Sequence, residues 1–461
     1  MHRTASIRGS FIVLAIILTI LSVGILYYGV YPHIPILLAA IVTATYGLIV
    51  KQPWQDLEQH MIRAISHGII PMLILLLIGM LIGVWALNGT IQTMTSYGLN
   101  LLSPTFFLAA TVVIVAIIST MVGSSLSSIG TVGVSFMGMA YGMDIDPAMT
   151  AGAIVSGAIF GDKLSPLSDT TNLAAATAEV DLFEHIRHML WTTIPALIIT
   201  IIIFGLIGFF MYGSQTGDDR EIQSMITVLN DAFTIHPVTL LSPAVIILLA
   251  ICRVKPIPAL VFGLVVAGLT TFFTSPGSGL ADVMGAAHSG FEPATGNANI
   301  DDLLTIGGLE HMLFGVSLIM ISLAFGGLIH GIGIANAMIK GIQSFLQTRG
   351  NTILSTMLSC FGINLVTGEQ YLSIILPGQT YKQVYAHHQL HPKNLSRTLE
   401  DGGTILHPLV PWGIIGAYVM TTLNVGVDYV FFVFLSLVTP IIALFYAYTG
   451  FTLQERDEDD Q

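Results

Sequence analysis

The chain has 461 residues, of which 54% are apolar and only 9% charged, with a formal net charge of −12 at pH 7. So few charges cannot cover a soluble protein of this length, so the solvent is lipid, no soluble catalytic domain is left over, and no nucleic-acid partner is expected. Much of the acidity comes from loops and from the tail Glu455 to Asp460, which reads as a solvated end.

The first apolar run, Phe11 to Gly29, follows Arg3 and Arg8, yet it is long and lacks an Ala-x-Ala cleavage pattern, so it reads as a spanning helix rather than a signal peptide. Further helices are expected at His33 to Val50, Ile69 to Leu87, a broken one from Pro147 to about Thr177, and Thr192 to Tyr212. A second set follows at Val238 to Cys252, Ile257 to Phe273, Met312 to His330, a broken one from Leu395 to about Tyr418, and Tyr429 to Tyr448. Each set holds an apolar segment interrupted by small and polar residues, Pro104 to Met143 and Asn351 to Ala386, which is either a re-entrant hairpin or two full crossings. Cys252 and Cys360 lie in apolar stretches and imply neither a disulfide framework nor a thiolate metal site.

With the N-terminus inside, cytoplasmic loops and ends receive Arg3, Arg8, Lys51, Arg63, Arg187, Arg253, Lys255, Lys340, Arg349, Lys382, Lys393, Arg397 and Arg456, and the outside receives Arg220 alone. That is the positive-inside pattern, and it sets both termini in the cytoplasm. Sliding the sequence along itself by about 245 residues aligns Pro147 with Pro392, Gly157 with Gly402 and Gly123 with Gly368. An odd number of crossings per copy turns the second copy upside down. The expected fold class is therefore an all-α polytopic membrane protein of two inverted repeats, each with a broken transmembrane helix and a re-entrant hairpin. The single transporter domain, 1–461, divides into a first repeat (11–212), an external linker (213–237), a second repeat (238–448) and an acidic cytoplasmic tail (449–461).

Gly161 to Asn172 reads GDKLSPLSDTTN inside an otherwise membrane-compatible segment. Ionisable groups at that depth are expensive and persist where they act. Pro166 removes a backbone donor and Gly161 permits a bend, so the helix should unwind around Leu164 to Ser168. Asp162 and Asp169 supply charge for a hard cation such as sodium, while Ser165, Ser168, Thr170, Thr171 and Asn172 supply neutral oxygens, and Lys163 is a partner for one carboxylate. Competition between cation and proton for one carboxylate is exchange, and Asp169→Asn is the substitution expected to abolish it. The bland alternative is an Asp162–Lys163 structural pair with Asp169 as a helix cap.

The tip Gly123 to Ser128 corresponds through the repeat to Gly368-Glu369-Gln370, which makes Ser124, Ser125 and Gln370 hairpin-tip ligand candidates and Glu369 a second proton or cation group. In LEDGGTILHPLVPWG, Asp401 and His407 are further candidates, with Lys393 and Arg397 drawing Asp401 towards the cytoplasmic end. The run His387, His388 and His391 is explained by a solvated hairpin base. The glycines of GGLIHGIGIANA read as close helix contacts rather than a nucleotide fingerprint. HExxH is absent, which disfavours a hydrolase, and broken helices suit a moving site better than a channel filter.

GDKLSPLSDTTN resembles the NhaC family of sodium/proton antiporters. So do HMIRAISHG, the GSSLSS tip, TGEQY at Thr367 to Tyr371 and LEDGGTILHPLVPW at Leu399 to Trp412, so the likeness spans nearly the whole chain. The resemblance implies antiport of sodium and protons across the bacterial plasma membrane without a cofactor, and a cation site at Asp162, Ser165, Ser168, Asp169, Thr170 and Asn172. Related members exchange malate for lactate. Only Lys163 is cationic at midplane depth, which favours plain cation exchange. A homodimer is left open.

Overall fold

The computed structural model describes residues 6–213, 227–252, 254–293, 305, 307–337 and 347–456. Arg3, Arg220, Arg253, Lys340 and the last residues of the acidic tail lie outside the described residues. The first half runs α1 (Ile7–Leu21, continued by a π turn), α2 (His33–Ile49), α3 (Trp54–His67), α4 (Ile69–Leu87), α5 (Thr90–Leu101), α6 (Pro104–Val122), α7 (Ser125–Ser128), α8 (Val134–Gly142), α9 (Pro147–Leu164), α10 (Asp169–Ala178) and α11 (Leu182–Ile207). The second runs α12 (Leu241–Ile251), α13 (Pro256–Thr274), α14 (Leu280–Ser289), α15 (Leu309–Ile332), α16 (Arg349–Thr367), α17 (Gln370–His387), α18 (Pro392–Gly403), α19 (Ile414–Thr422) and α20 (Phe434–Thr449). Among the described residues 7 helical stretches are long and apolar enough to cross a membrane. α4 and α15, at 19 and 24 residues, are about 28 and 36 Å long, matching a hydrocarbon core of about 30 Å.

The helix boundaries follow from sequence chemistry. Pro104, Pro147, Pro256 and Pro392 open α6, α9, α13 and α18, where a missing N–H costs nothing. α11 begins at Leu182, earlier than Thr192, because Asp181 accepts from the Phe183 and Glu184 amides at 2.9 and 3.1 Å. Its polar first turns hide that start from a hydropathy reading. α20 begins at Phe434 rather than Tyr429, after a 3-10 turn over Val427–Phe432. α3 was absent from the expected spans because it is amphipathic; it packs on the glycines of α15, where a Cβ on Gly327 would stand 2.5 Å from the His60 carbonyl oxygen.

Both interrupted apolar segments are helical hairpins. α6 ends at Gly123 (φ 72°) and α16 at Gly368 (φ 65°), left-handed positions that favour glycine. The next side chain then caps the following helix: Ser124 accepts from the Ser127 amide, and Glu369 accepts from the Tyr371 and Leu372 amides. α6 runs alongside α9 in the same direction at backbone distance. A Cβ on Gly157 would lie 2.6 Å from the Val112 oxygen, and one on Gly161 2.4 Å from the Thr120 nitrogen.

The two helices therefore stop at the same level, and tip Gly123 meets Ser165 and Leu167. The second half repeats this: the Ile414 amide donates to the Gly368 carbonyl at 3.1 Å and the Trp412 indole to the Leu365 carbonyl at 2.8 Å.

Each hairpin's second arm crosses to the other half. α17 packs on α10 with Gly378 against Thr177, and the π turn after α7 packs on α19 with Gly130 against Tyr418. At the far end, residues 450–456 fold back as a strap. Leu390 and Glu455 form a β-bridge, Asn394 donates to the Gln454 carbonyl at 2.7 Å, Arg397 donates to the Thr452 hydroxyl at 3.0 Å, and Arg349 pairs with Glu455 at 2.7 Å. Arg397 is thus buried within α18, not a loop charge.

Candidate functional site

The first broken helix ends at Leu164 and restarts at Asp169, so the backbone unwinds through Ser165, Pro166, Leu167 and Ser168. Asn172 braces the gap by donating its amide to the Pro166 and Ser168 carbonyls at 2.9 and 2.7 Å, and the Thr171 hydroxyl donates to the Lys163 carbonyl at 2.9 Å. Ser165 accepts from the Leu167 amide at 3.3 Å, and Ser168 and Thr170 share a hydroxyl bond at 3.1 Å. Several of the polar residues in the motif therefore hold the break open.

Asp162 is the buried carboxylate here, 8% exposed, and its Oδ2 accepts from the Ser125 hydroxyl of the opposing hairpin tip at 2.7 Å. The Ser168 hydroxyl also faces it. Asp169, at the first turn of α10, is exposed and stands beside the Tyr371 hydroxyl, which in turn lies near Asp162 and Glu369. Two carboxylates, two serine hydroxyls and a phenol thus converge where a tip meets a break. All are oxygen donors, the set that suits a hard cation.

The remaining candidates divide. Glu369 is buried, and both its oxygens cap α17. Gln370 has an unpartnered buried Nε2 among the described residues. His407 is fixed by its neighbours: the Asn364 amide donates to the Gly403 carbonyl at 2.7 Å, which leaves Asn364 Oδ1 to accept from His407 Nδ1 at 3.1 Å, while the Ile415 amide approaches Nε2 at 3.5 Å. That network assigns a neutral imidazole whose role is packing the second break. His391 caps α18.

Lys163 does not pair with Asp162. It reaches across the molecule to Asp401 Oδ1, which also accepts from the Thr192 hydroxyl at 3.2 Å. This pair, 0% and 1% exposed, joins the two broken helices. Sequence reasoning missed Glu400, which is fully buried beside Lys163 and Asp162, and Tyr371. The signal for Glu400 was present in LEDGG, masked by its charged neighbour.

A family model described as the Na+/H+ antiporter family matches residues 3–171 and 157–451. The chain is 42% identical over 451 residues to the Na(+)/H(+) antiporter NhaC of Alkalihalophilus pseudofirmus, covering 98% of this chain and 97% of that protein. It is 42% identical over 416 residues to the Na(+)/H(+) antiporter NhaC of Bacillus subtilis, covering 90% and 92%. It is 34% identical over 441 residues to the Malate-2H(+)/Na(+)-lactate antiporter of Bacillus subtilis, covering 94% of each. Matched along nearly its full length by these antiporters, the chain belongs to the Na+/H+ antiporter family.

Proposed function

We propose that the protein exchanges cytoplasmic sodium for external protons across the bacterial plasma membrane, with both termini inside, and that Asp162 is the group for which the two ions compete. The observation that carries this reading is a buried carboxylate bonded to the Ser125 tip at 2.7 Å beside an unwound segment. A carboxylate away from water is stable when protonated or when holding a cation, and far less stable bare. If the bare form crosses poorly, inward proton flow drives sodium outward with no covalent step. Ser125, Ser168 and Asp169 complete the cation's oxygen shell, and Tyr371 orients Asp169.

The reading of 11–212 and 238–448 as inverted copies is supported by helix ends that recur at a constant offset: α6 and α16, and the starts of α9 and α18. The reciprocal contacts of α17 on α10 and of the π turn on α19 support it too. Plain cation exchange is favoured over organic-acid exchange because the buried cationic side chains among the described residues, Lys163 and Arg397, are engaged by Asp401 and Thr452.

The test is a pH-gradient assay in everted vesicles. Sodium alone should dissipate the gradient, and its half-saturating concentration should rise as pH falls. A response that requires malate or lactate overturns the sodium-for-proton reading. Asp162→Asn should lower exchange by about a hundredfold or more, since it removes the transported charge compensation, while insertion stays intact. Full exchange by that variant removes Asp162 from the mechanism.

A further inference from the structure

The last turn of α18 holds oxygen atoms that the exchange at Asp162 does not use. Glu400 and Thr404 are 0% exposed and Asp401 1%. Neither Glu400 oxygen, nor Asp401 Oδ2, nor Thr404 Oγ1 has a hydrogen-bond partner among the described residues. Thr404 follows Glu400 by one helical turn and its hydroxyl lies beside that carboxylate. Asp401 precedes Thr404 by three positions, so the hydroxyl stands one turn on from both acids. The Thr404 and Ile405 amides both donate to the Glu400 carbonyl at 3.1 Å as the helix ends there.

A bare buried carboxylate costs several kcal/mol. Asp401 is compensated on Oδ1 by Lys163, with Arg397 one turn earlier; Glu400 has no ion pair among the described residues, and the Thr404 hydroxyl is the polar side chain beside it on its own helix. The groups around Glu400 are Lys163 and Asp162 from α9, the Cys360 thiol from α16, and Asp401 and Thr404 on its own helix. Protonating Glu400 removes the charge and lets one oxygen donate to the Thr404 hydroxyl, but leaves the other oxygen and Asp401 Oδ2 without a donor. A cation beside Glu400 would meet its carboxylate and the Thr404 hydroxyl, with Asp401 Oδ2 a further acidic oxygen that no donor reaches. No group of three or more His, Cys, Asp or Glu suited to a metal exists among the described residues, which disfavours a transition metal. One uncompensated carboxylate matches a single positive charge.

We propose that Glu400, Asp401 Oδ2 and Thr404 form a second binding site for a sodium-like monovalent cation, in the second half of the molecule. The proposal rests on reading the chain as a sodium exchanger, and it sets the capacity at two cations per chain. Lys163, adjacent in sequence to Asp162 and bonded to Asp401, is the group through which occupancy of one site reaches the other.

The experiment is equilibrium binding of radioactive sodium to the purified full-length protein in detergent, with choline as the balancing salt. The wild type should bind two ions per chain, Glu400→Gln one, and Asp162→Asn one. Thr404→Val should weaken the second ion by about tenfold and Thr404→Ser restore it, as expected for loss of one hydrogen-bonding or ligating oxygen. A wild type that binds one ion, lost in Asp162→Asn and untouched by Glu400→Gln and Thr404→Val, overturns the second site and leaves the first reading standing. Two ions in Asp162→Asn but one in Glu400→Gln supports the second site and overturns the role given to Asp162. If Glu400→Gln elutes as aggregate, the near-isosteric Thr404→Val and Thr404→Ser pair decides.

Discussion

The two broken helices both start at a proline, Pro147 and Pro392, and are finished differently. In the first, the gap between α9 and α10 spans only Ser165 to Ser168, its carbonyls are tied by Asn172 and Thr171, and its carboxylate accepts a hydrogen bond from a hairpin tip. In the second, the gap between α18 and α19 runs from Thr404 to Gly413, holds a neutral histidine bonded to Asn364, and leaves acidic oxygens without partners. The first gap holds one buried and one exposed acid, Asp162 and Asp169; the second follows two buried ones, Glu400 and Asp401. The helix starts match, at Pro147 and Pro392, and the side chains around the two gaps do not.

Four substitutions would break or sharpen that contrast. The largest effect belongs to the bond joining the gaps. Lys163→Met should destabilise the protein by about 3–5 kcal/mol, because it strands Asp401 as a buried charge. The double variant K163M/D401L should recover most of that loss in a thermal melt. Equal melts for the single and double variants would show that the pair does not join the halves.

Next, Ser125→Ala removes a donor to a buried carboxylate, a loss of about 1.5–3 kcal/mol. It should raise the half-saturating sodium concentration by about tenfold or more in the vesicle assay, whereas an unchanged value would separate the tip from the ion. Asp169→Asn should weaken sodium by only a few-fold, read in the same assay, because this acid is exposed and screened. That is a smaller effect than the motif alone suggests, and complete loss would return Asp169 to the centre. Smallest is Lys382→Gln, which breaks a surface pair with Glu179 at 2.5 Å between α17 and α10. Its effect on the melt should stay within about 1 kcal/mol.

Much of this was legible in the sequence. Pro166 between two acids announced the first gap, and Gly123 and Gly368 announced the hairpin tips, because proline and left-handed glycine act locally. What escaped depends on distance along the chain. The partner of Lys163 lies in the other half, and no local rule distinguishes Asp401 from Asp162 as that partner. Glu400 was overlooked because Lys393 and Arg397 made its helix look like a cytoplasmic end. Arg397 shows how a long side chain on a buried helix can carry its charge to a distant, partly exposed partner, the Thr452 hydroxyl of the strap. The start of α11 was lost for a related reason, since His185, Arg187 and His188 interrupt the apolar run, yet the two histidines are buried and all three are helical.

The docking of the second tip on its own gap has a mechanical consequence. Parting Gly368 from Ile414, or Leu365 from Trp412, breaks hydrogen bonds to backbone carbonyls. The links between halves include side chains, Lys163 to Asp401, His185 to Ser396, and Tyr418 to the Leu126 carbonyl, and one backbone bond, from the Gly308 amide to the Gly79 carbonyl at 2.7 Å. Links of the first kind can lengthen or swap by rotating a few torsions. Those side-chain links, unlike the docking of the second tip on its own gap, can be exchanged without opening either broken helix.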